Sequence, residues 1–132
     1  MTGKEMTELV ENDRFAAHVG IELVTVGIDF AEAKMEIMPF HINGAGRVQG
    51  GALFTLADFT FADASNAAGI LTTGINVSIS YLSAAKGSFV TAQAREVSAG
   101  NRICVYDVEV FDEDGTIVAK FIGTGYRKKQ NF

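Results

Sequence analysis

The feature that most constrains this chain is an apolar segment, Ala52 to Ala68, that directly follows a glycine-rich stretch. Its residues are mostly Ala, Leu and Phe, and they predict a helix that is apolar on nearly every side. Such a helix must also be buried on nearly every side. Two aspartates nevertheless lie within it, Asp58 and Asp63, and burying a carboxylate is costly unless the group is paired or has a function.

Length and composition indicate one globular domain over residues 1–132. The chain is 48% hydrophobic and 20% charged, and its net charge of −5 argues against a nucleic-acid binder. No apolar segment is long and uninterrupted enough to cross a membrane, so we expect no membrane partner. The polar, acidic first residues differ from a secretion signal, which favours a cytoplasmic protein.

Cysteine and histidine usage argues against a metal site. Cys104 is the only cysteine, which excludes a disulfide within the chain and a cluster of thiolate ligands. The two histidines, His18 and His41, lack the spacing of zinc ligands, so we predict no metal. His41 is interpreted as a residue that caps or hydrogen-bonds locally. The chain also lacks the Gly-x-Ser-x-Gly motif of serine hydrolases.

Periodicity predicts one amphipathic helix, a hairpin, the buried helix and four further strands. The first helix covers residues 6–19, and the strands cover residues 21–26, 30–38, 75–81, 88–97, 102–111 and 116–127. Runs of strands on both sides of one helix predict an antiparallel α+β sheet, which must curl around the helix to hide it. Because the far face of that sheet would still need cover, we expect a homo-oligomer, a dimer or a dimer of dimers.

The glycine pair Gly50–Gly51 stands where the buried helix begins. The first N–H groups of a helix have no partner within it, and the positive end of the helix dipole favours an anion there. The carbonyl of an acyl group develops negative charge when water attacks, and one such donor is worth about 3 kcal/mol in the transition state. We favour an oxyanion site, with tight packing or a positive φ as the alternative reason for these glycines.

Asp58 is a candidate general base, with a structural acid bonded to a hydroxyl or an arginine as the alternative. Eight residues separate it from Gly50, a rise of about 12 Å at about 1.5 Å per residue. A base must come within about 3 Å of its water, so Asp58 cannot serve a carbonyl held at its own helix start. If both groups act in one reaction, they come from different subunits at a two-fold interface.

Asp63 lies five positions after Asp58, about 140° further around the helix, and cannot form a carboxylate dyad with it. We predict a structural pairing for Asp63. Asn66, near the helix end, is expected to hydrogen-bond the backbone. Asn43 lies in the glycine-rich loop, where its own surroundings favour an Asx turn.

The order of elements and one motif resemble the hotdog fold, and more narrowly the acyl-CoA thioesterases of the phenylacetate-degradation type. The motif is His41-Ile42-Asn43, then Gly46, then Gln49-Gly50-Gly51-Ala52-Leu53-Phe54-Thr55-Leu56-Ala57-Asp58, continuing from Ala62 to Asn66. The segment Tyr81-Leu82-Ser83-Ala84-Ala85-Lys86 is similar to a strand end of that family. The resemblance implies a single hotdog thioesterase-like domain, with a curled antiparallel β-sheet wrapped around one long central helix.

The resemblance also implies roles for residues of the motif. The N–H of Gly50 would polarise the thioester carbonyl, Asp58 would act as general base or nucleophile, and Asn43 would position the attacked group or the water. The substrate-binding candidates are Gln49, Gly51, Thr73 and Lys86. Lys86 would meet the phosphates of coenzyme A, with simple solvation as its alternative.

The chain departs from that family at several positions. Many relatives have His where this chain has Gln49, and Ser or Thr near the position of Gly74, for which Thr73 or Thr72 could substitute. The usual proline before Ala85 is absent. We therefore keep three hypotheses: an acyl-CoA thioesterase that needs no cofactor beyond the coenzyme A of its substrate, a non-catalytic hotdog protein that binds acyl-CoA or another apolar ligand, and, more weakly, a hydratase or dehydratase of the same fold.

Overall fold

The computed structural model describes residues 3–128. Its helices and strands follow the predicted order, and the strand ends differ from prediction by at most three residues. The elements are α1 (Gly3–Glu11), α2 (Arg14–Val19), β1 (Ile21–Gly27), β2 (Phe30–Glu36), a 3₁₀ turn (Pro39–His41), α3 (Gly50–Asn66), β3 (Thr72–Tyr81), β4 (Phe89–Ala99), β5 (Ile103–Asp112) and β6 (Ile117–Arg127).

The six strands form one antiparallel sheet in the order β1-β2-β4-β5-β6-β3. Helix α3 contacts all six of them, so the sheet curls around the helix as predicted. The two edge strands are β1 and β3. Among residues 3–128, no helix has both the length and the apolar character needed to cross a bilayer.

Small side chains on the inner face of the sheet let α3 approach closely. Alternate residues of β2 and β4 point inward and are fully buried, among them Ala31, Ala33, Ala92 and Ala94. The larger ring of Phe61 on α3 packs against glycines of β3 and β6. A β-carbon added to Gly74, Gly123 or Gly125 would lie 3.1–3.5 Å from its ring.

The N-terminal region contains two helices rather than the single helix predicted over residues 6–19. The break falls at Asn12 and Asp13. Asp13 caps α2, because its carboxylate accepts a hydrogen bond from the backbone N–H of Ala16 at 3.0 Å. Asp favours such caps over helix interiors, which is why the periodic pattern does not continue as one helix.

Polar side chains on the outer face of the sheet pair with one another, and the cover that we expected for that face stays a prediction. The Lys120 ammonium lies 2.7 Å from Asp107 Oδ2, and the Gln93 amide donates to Glu32 at 2.8 Å. Exposed apolar side chains lie on several strands, among them Val97 of β4, and along the edge strand β3, where Ile75 is 57% exposed. An unpaired strand edge of this kind is where another chain can add.

Asp63 differs from prediction, since the expected structural pairing is not found in the described part of the chain. Its side chain is 2% exposed, and its Oδ2 has no hydrogen-bond partner there. Burial, together with the charge of Asp13, raises the pKa of Asp63 to about 8. The carboxyl group is therefore protonated at neutral pH, which avoids burying a charge.

Asp63→Asn is expected to raise stability at pH 8 and to flatten its pH dependence. The folded protein keeps the Asp63 proton up to about pH 8, whereas the unfolded chain releases it near 3.8. The wild type therefore has this contribution in full below about pH 4 and loses it as the pH rises towards 8. Thermal unfolding should show a midpoint higher by about 4 °C or more at pH 8, equivalent to about 1 kcal/mol.

Asp114→Asn is the matched control, because it makes the same chemical change on an exposed residue of the β5–β6 turn. It should leave the pH dependence of unfolding as it is in the wild type. Equal pH dependence of Asp63→Asn and wild type would contradict a buried, protonated Asp63.

Candidate active site

The loop before α3 is shaped by Asn43. Its side-chain Oδ1 accepts hydrogen bonds from the backbone N–H groups of Ala45 at 2.9 Å and Arg47 at 3.1 Å. Gly46 has φ +80°, a conformation that glycine adopts without strain. The Asx-turn interpretation of Asn43 is confirmed. Its Nδ2 group has no partner among the described residues and remains a free donor.

His41 ties this loop to the N-terminal helices. It is buried, and its Nδ1 accepts a hydrogen bond from Met38 N–H at 2.9 Å. Nε2 must then carry the proton, which it donates to the carbonyl oxygen of Val19, at the end of α2, at 2.6 Å. The predicted local role of His41 is confirmed, and the contact to α2 is additional.

The start of α3 has no side-chain cap. Gln49 occupies the N-cap position, but its side chain makes no capping hydrogen bond and is exposed. Its backbone N–H donates to His41 O at 2.7 Å, which leaves the next N–H groups as the free donors of the helix. Free N–H groups at the start of a helix can bind a negatively charged oxygen.

A cavity of about 300 Å³ adjoins Gly50, the first residue of α3. The loop after β3 forms its other wall. The lining residues are Asn43, Arg47, Val48, Gly50, Leu53, Tyr81, Leu82, Ser83, Ala84 and Ala85. Lys86 follows this wall directly and is exposed, with its backbone N–H bonded to Asp112 Oδ2 at 3.1 Å.

Asp58 lies at a second cavity, of about 330 Å³, between α3 and the first half of β3. Its lining residues are Asp58, Phe61, Ala62, Ser65, Thr72, Gly74, Ile75, Asn76 and Val77. Burial, with a smaller effect of the Asp13 charge, raises the pKa of Asp58. A carboxylate whose pKa is raised accepts a proton more readily than an ordinary aspartate.

Asn66 connects α3 to the start of β3, the strand that forms one side of the Asp58 cavity. Its Oδ1 accepts from Thr72 N–H at 2.9 Å, and its Nδ2 donates to Ala62 O at 2.8 Å, as predicted for a residue that bonds backbone. Thr72 contacts α3 and lines the cavity. Thr73 is exposed and points to the opposite face of the sheet, since successive side chains of a strand alternate.

The described chain therefore has two separate cavities that contain predicted site residues. Gly50 and Asn43 share one cavity, with Gln49, Gly51 and Lys86 adjoining it in the chain, whereas Asp58 lines the other. The rise of α3 between Gly50 and Asp58 is about 12 Å. Sequence reasoning did not identify the contribution of Ser65 and Asn76 to the Asp58 cavity. Alternation places Asn76 on the outer face of β3, and the register shift beside it is not visible in the sequence pattern.

In the part of the chain that the structure describes, neither of these two cavities has side chains arranged to bind a metal ion. Among residues 3–128, no group of three or more His, Cys, Asp or Glu side chains is arranged to hold a metal ion. That the protein works without a metal stays a prediction from its sequence.

Comparison with known proteins decides the family. The model of the thioesterase superfamily matches residues 45–119. The acyl-coenzyme A thioesterase PaaI of Escherichia coli K12 is 32% identical over 120 residues, which are 90% of this chain and 86% of that protein. This chain belongs to the thioesterase superfamily. The prediction of a thioester hydrolase is confirmed.

Solved structures of thioesterase-superfamily proteins confirm the hotdog fold. The E. coli PaaI protein from the phenylacetic acid degradation operon superposes with a TM-score of 0.92 at 29% identity, covering 97% of this chain and 94% of that one. A mutant of the phenylacetic acid degradation protein PaaI from Thermus thermophilus gives a TM-score of 0.83 at 32% identity, covering 88% of this chain and 100% of that one.

Gly51→Ala and Gly50→Ala separate a packing role from a functional role for this glycine pair. A β-carbon on Gly51 would meet only Gln49 Cγ, at 3.8 Å, so Gly51→Ala should raise the free energy of unfolding by about 0.5–1 kcal/mol. On Gly50 it would lie 3.0 Å from Tyr81 Cζ, so Gly50→Ala should show no such gain. Urea unfolding measures both; a loss of stability in Gly51→Ala would favour the packing explanation.

Proposed function

We propose that the protein hydrolyses acyl-CoA thioesters at sites shared between two copies of the chain. In each site, Asp58 of one copy acts as general base and the Gly50 N–H of the other stabilises the oxyanion. The observation that carries this proposal is the location of the two cavities at opposite ends of β3, an exposed edge strand.

Antiparallel pairing of β3 with the same strand of a second copy would complete both sites at once. The Asp58 cavity is lined by Gly74 to Val77, at the first half of β3, and the Gly50 cavity by Tyr81, at its end. A two-fold axis near the middle of the strand brings the first half of one strand opposite the end of the other. Exposed Ile75 and Tyr81 would be covered in the same step.

The reaction needs only these two groups and water. Asp58 removes a proton from water as the oxygen–carbon bond to the thioester carbonyl forms, and the N–H of Gly50 binds the developing oxyanion. When the tetrahedral intermediate collapses, the carbon–sulfur bond breaks. The coenzyme A thiolate takes up the proton that Asp58 received, and the free acid is released.

The remaining candidates are proposed to hold the substrate. The free Nδ2 of Asn43 and the exposed side chain of Gln49 would hydrogen-bond the acyl-CoA near the helix start. Gly51 leaves space beside them. The Lys86 ammonium, exposed next to the Gly50 cavity, would meet phosphate groups of coenzyme A. Thr73 would contact substrate only from the outer face of the sheet, near the edge that the partner copy covers.

Mixing two inactive variants tests the shared site. Asp58→Asn removes the base, and Gly50→Pro removes the N–H at a helix position that tolerates proline. The backbone of Gln49, at φ −58° and ψ 133°, suits a residue before proline. Each variant alone should release almost no thiol from acyl-CoA. After joint refolding of equal amounts, about half of the dimers should be mixed, and each mixed dimer has one of its two sites intact. The mixture should therefore recover about a quarter of the wild-type rate.

Gly50→Ala is the control for the proline ring, because it adds the same β-carbon beside Tyr81 and keeps the N–H. It should retain more activity than Gly50→Pro, because the N–H donor is still present. A mixture that stays inactive although mixed dimers form would contradict the shared site. Stabilisation of the wild type by acyl-CoA without any thiol release would favour a binding protein instead.

Asp13→Asn is expected to move the acidic limb of the pH–rate profile to lower pH. The rate rises as Asp58 loses its proton, and the charge of Asp13 contributes to the raised pKa of Asp58. Asn removes that charge but can still cap α2. The pH dependence of kcat/KM measures the shift. Asp114→Asn, at an exposed turn, should leave the limb in place, and an equal shift in both variants would contradict a specific effect of Asp13.

A further inference from the structure

A tyrosine hydroxyl from another element hydrogen-bonds the first turn of α3. Tyr81, the last residue of β3, donates a hydrogen bond to the carbonyl oxygen of Gly50 at 3.1 Å. Its ring lies over the same residue, since a β-carbon built on Gly50 would be 3.0 Å from Cζ and 3.2 Å from the hydroxyl oxygen of Tyr81. The space left by the missing side chain at position 50 is therefore occupied by the phenol.

We propose that Tyr81 is a positioning residue that orients the oxyanion donors of Gly50 and Gly51. The inference rests on the proposed function, because it assigns Tyr81 a role in the site where the Gly50 N–H would act. Tyr81 itself does not contact the reacting atoms. It acts through the two glycines.

The geometry of the peptide group explains how one hydrogen bond orients a donor. The carbonyl of Gly50 and the N–H of Gly51 belong to the same planar peptide unit. A hydroxyl that holds the oxygen therefore also sets the direction of the N–H on the other side of the plane. The ring contact restricts Gly50 at the same time and so limits the rotation of its own N–H.

The backbone of two consecutive glycines is flexible, so an external contact is needed to fix its orientation. Glycine has the widest range of backbone conformations, and the first turn of α3 has no side-chain cap from Gln49. Without an external contact this turn would sample several orientations of its N–H groups. A hydrogen bond to the carbonyl also polarises the peptide unit, which makes the Gly51 N–H a stronger donor.

The location of Tyr81 connects this restraint to the rest of the proposed site. It lines the Gly50 cavity together with Asn43, and its side chain is 52% exposed. It also ends the edge strand that would pair with the second copy. Addition of the partner strand would bring the partner's Asp58 cavity to the end of β3 that holds Tyr81, so one residue links strand pairing to donor orientation.

Tyr81→Phe in the full-length protein tests the inference. The variant keeps the ring over Gly50 and removes only the hydroxyl. We expect kcat for acyl-CoA hydrolysis to fall about tenfold, which corresponds to about 1.4 kcal/mol of transition-state stabilisation, with KM unchanged and the protein still fully folded at the assay temperature. Tyr126→Phe is the matched control, because it removes a hydroxyl bonded to Arg102 on the far end of β6 and should leave kcat unchanged.

A second variant separates this inference from the proposed function. Adding Tyr81→Phe to Gly50→Pro should lower kcat by a smaller factor than Tyr81→Phe does in the wild type, since one of the two donors that Tyr81 orients is already gone. If Gly50→Pro is inactive and Tyr81→Phe has wild-type kcat, the positioning role is wrong and the oxyanion site stands. If Gly50→Pro keeps full activity, the oxyanion site itself is wrong. If the loss of activity in Tyr81→Phe matches the fraction of the protein that is unfolded at the assay temperature, the role of Tyr81 is merely structural.

Discussion

The burial of α3 within one curled sheet is the constraint on which the rest of the structure depends. The six-stranded sheet approaches the helix closely where its inner face is built from small residues, as on β2 and β4 with Ala31, Ala33, Ala92 and Ala94. Phe61 is the exception on the helix side, and glycines of β3 and β6 make room for it. The core is filled by side chains of both the helix and the sheet, among them Phe61 of α3, Tyr106 of β5 and Phe121 of β6, which leaves little space for function inside it.

Functional groups on such a helix must therefore emerge where the enclosure is incomplete. One opening is the start of α3, where the glycine pair leaves N–H groups without a side-chain cap. The other lies along β3, whose register shift between Gly74 and Asn76 opens the cavity that contains Asp58. The fold thus separates the cavity beside Gly50 from the cavity beside Asp58, and the exposed edge of β3 runs between them.

Electrostatics at the helix follows from the same burial. Asp58 and Asp63 both have raised pKa values, first because they are buried and second because Asp13 is near. The two acids differ in access. Asp58 lines a cavity, where a raised pKa suits proton transfer, whereas the Oδ2 of Asp63 is buried without a partner in the described chain and stays neutral at the expense of stability at higher pH.

The sequence by itself determined the elements of this protein and the chemistry that they carry. The apolar run, the alternation of the strands and the position of the glycine pair predicted the curled sheet and its helix, because these patterns repeat with the local periods of the backbone. The rise of a helix was enough to separate Gly50 from Asp58. Those inferences need only residues close to one another in the chain.

Only the tertiary structure decided which distant groups meet. The contact of Tyr81 with Gly50, the absence of a partner for Asp63 among the described residues and the ion pair of Lys120 with Asp107 all depend on which distant residues the fold brings together. The break between α1 and α2 was missed for a related reason, since a capping aspartate and a solvent-facing helix residue look alike in a periodic pattern. Such choices are made by packing and hydrogen bonding in three dimensions, which local periodicity does not encode.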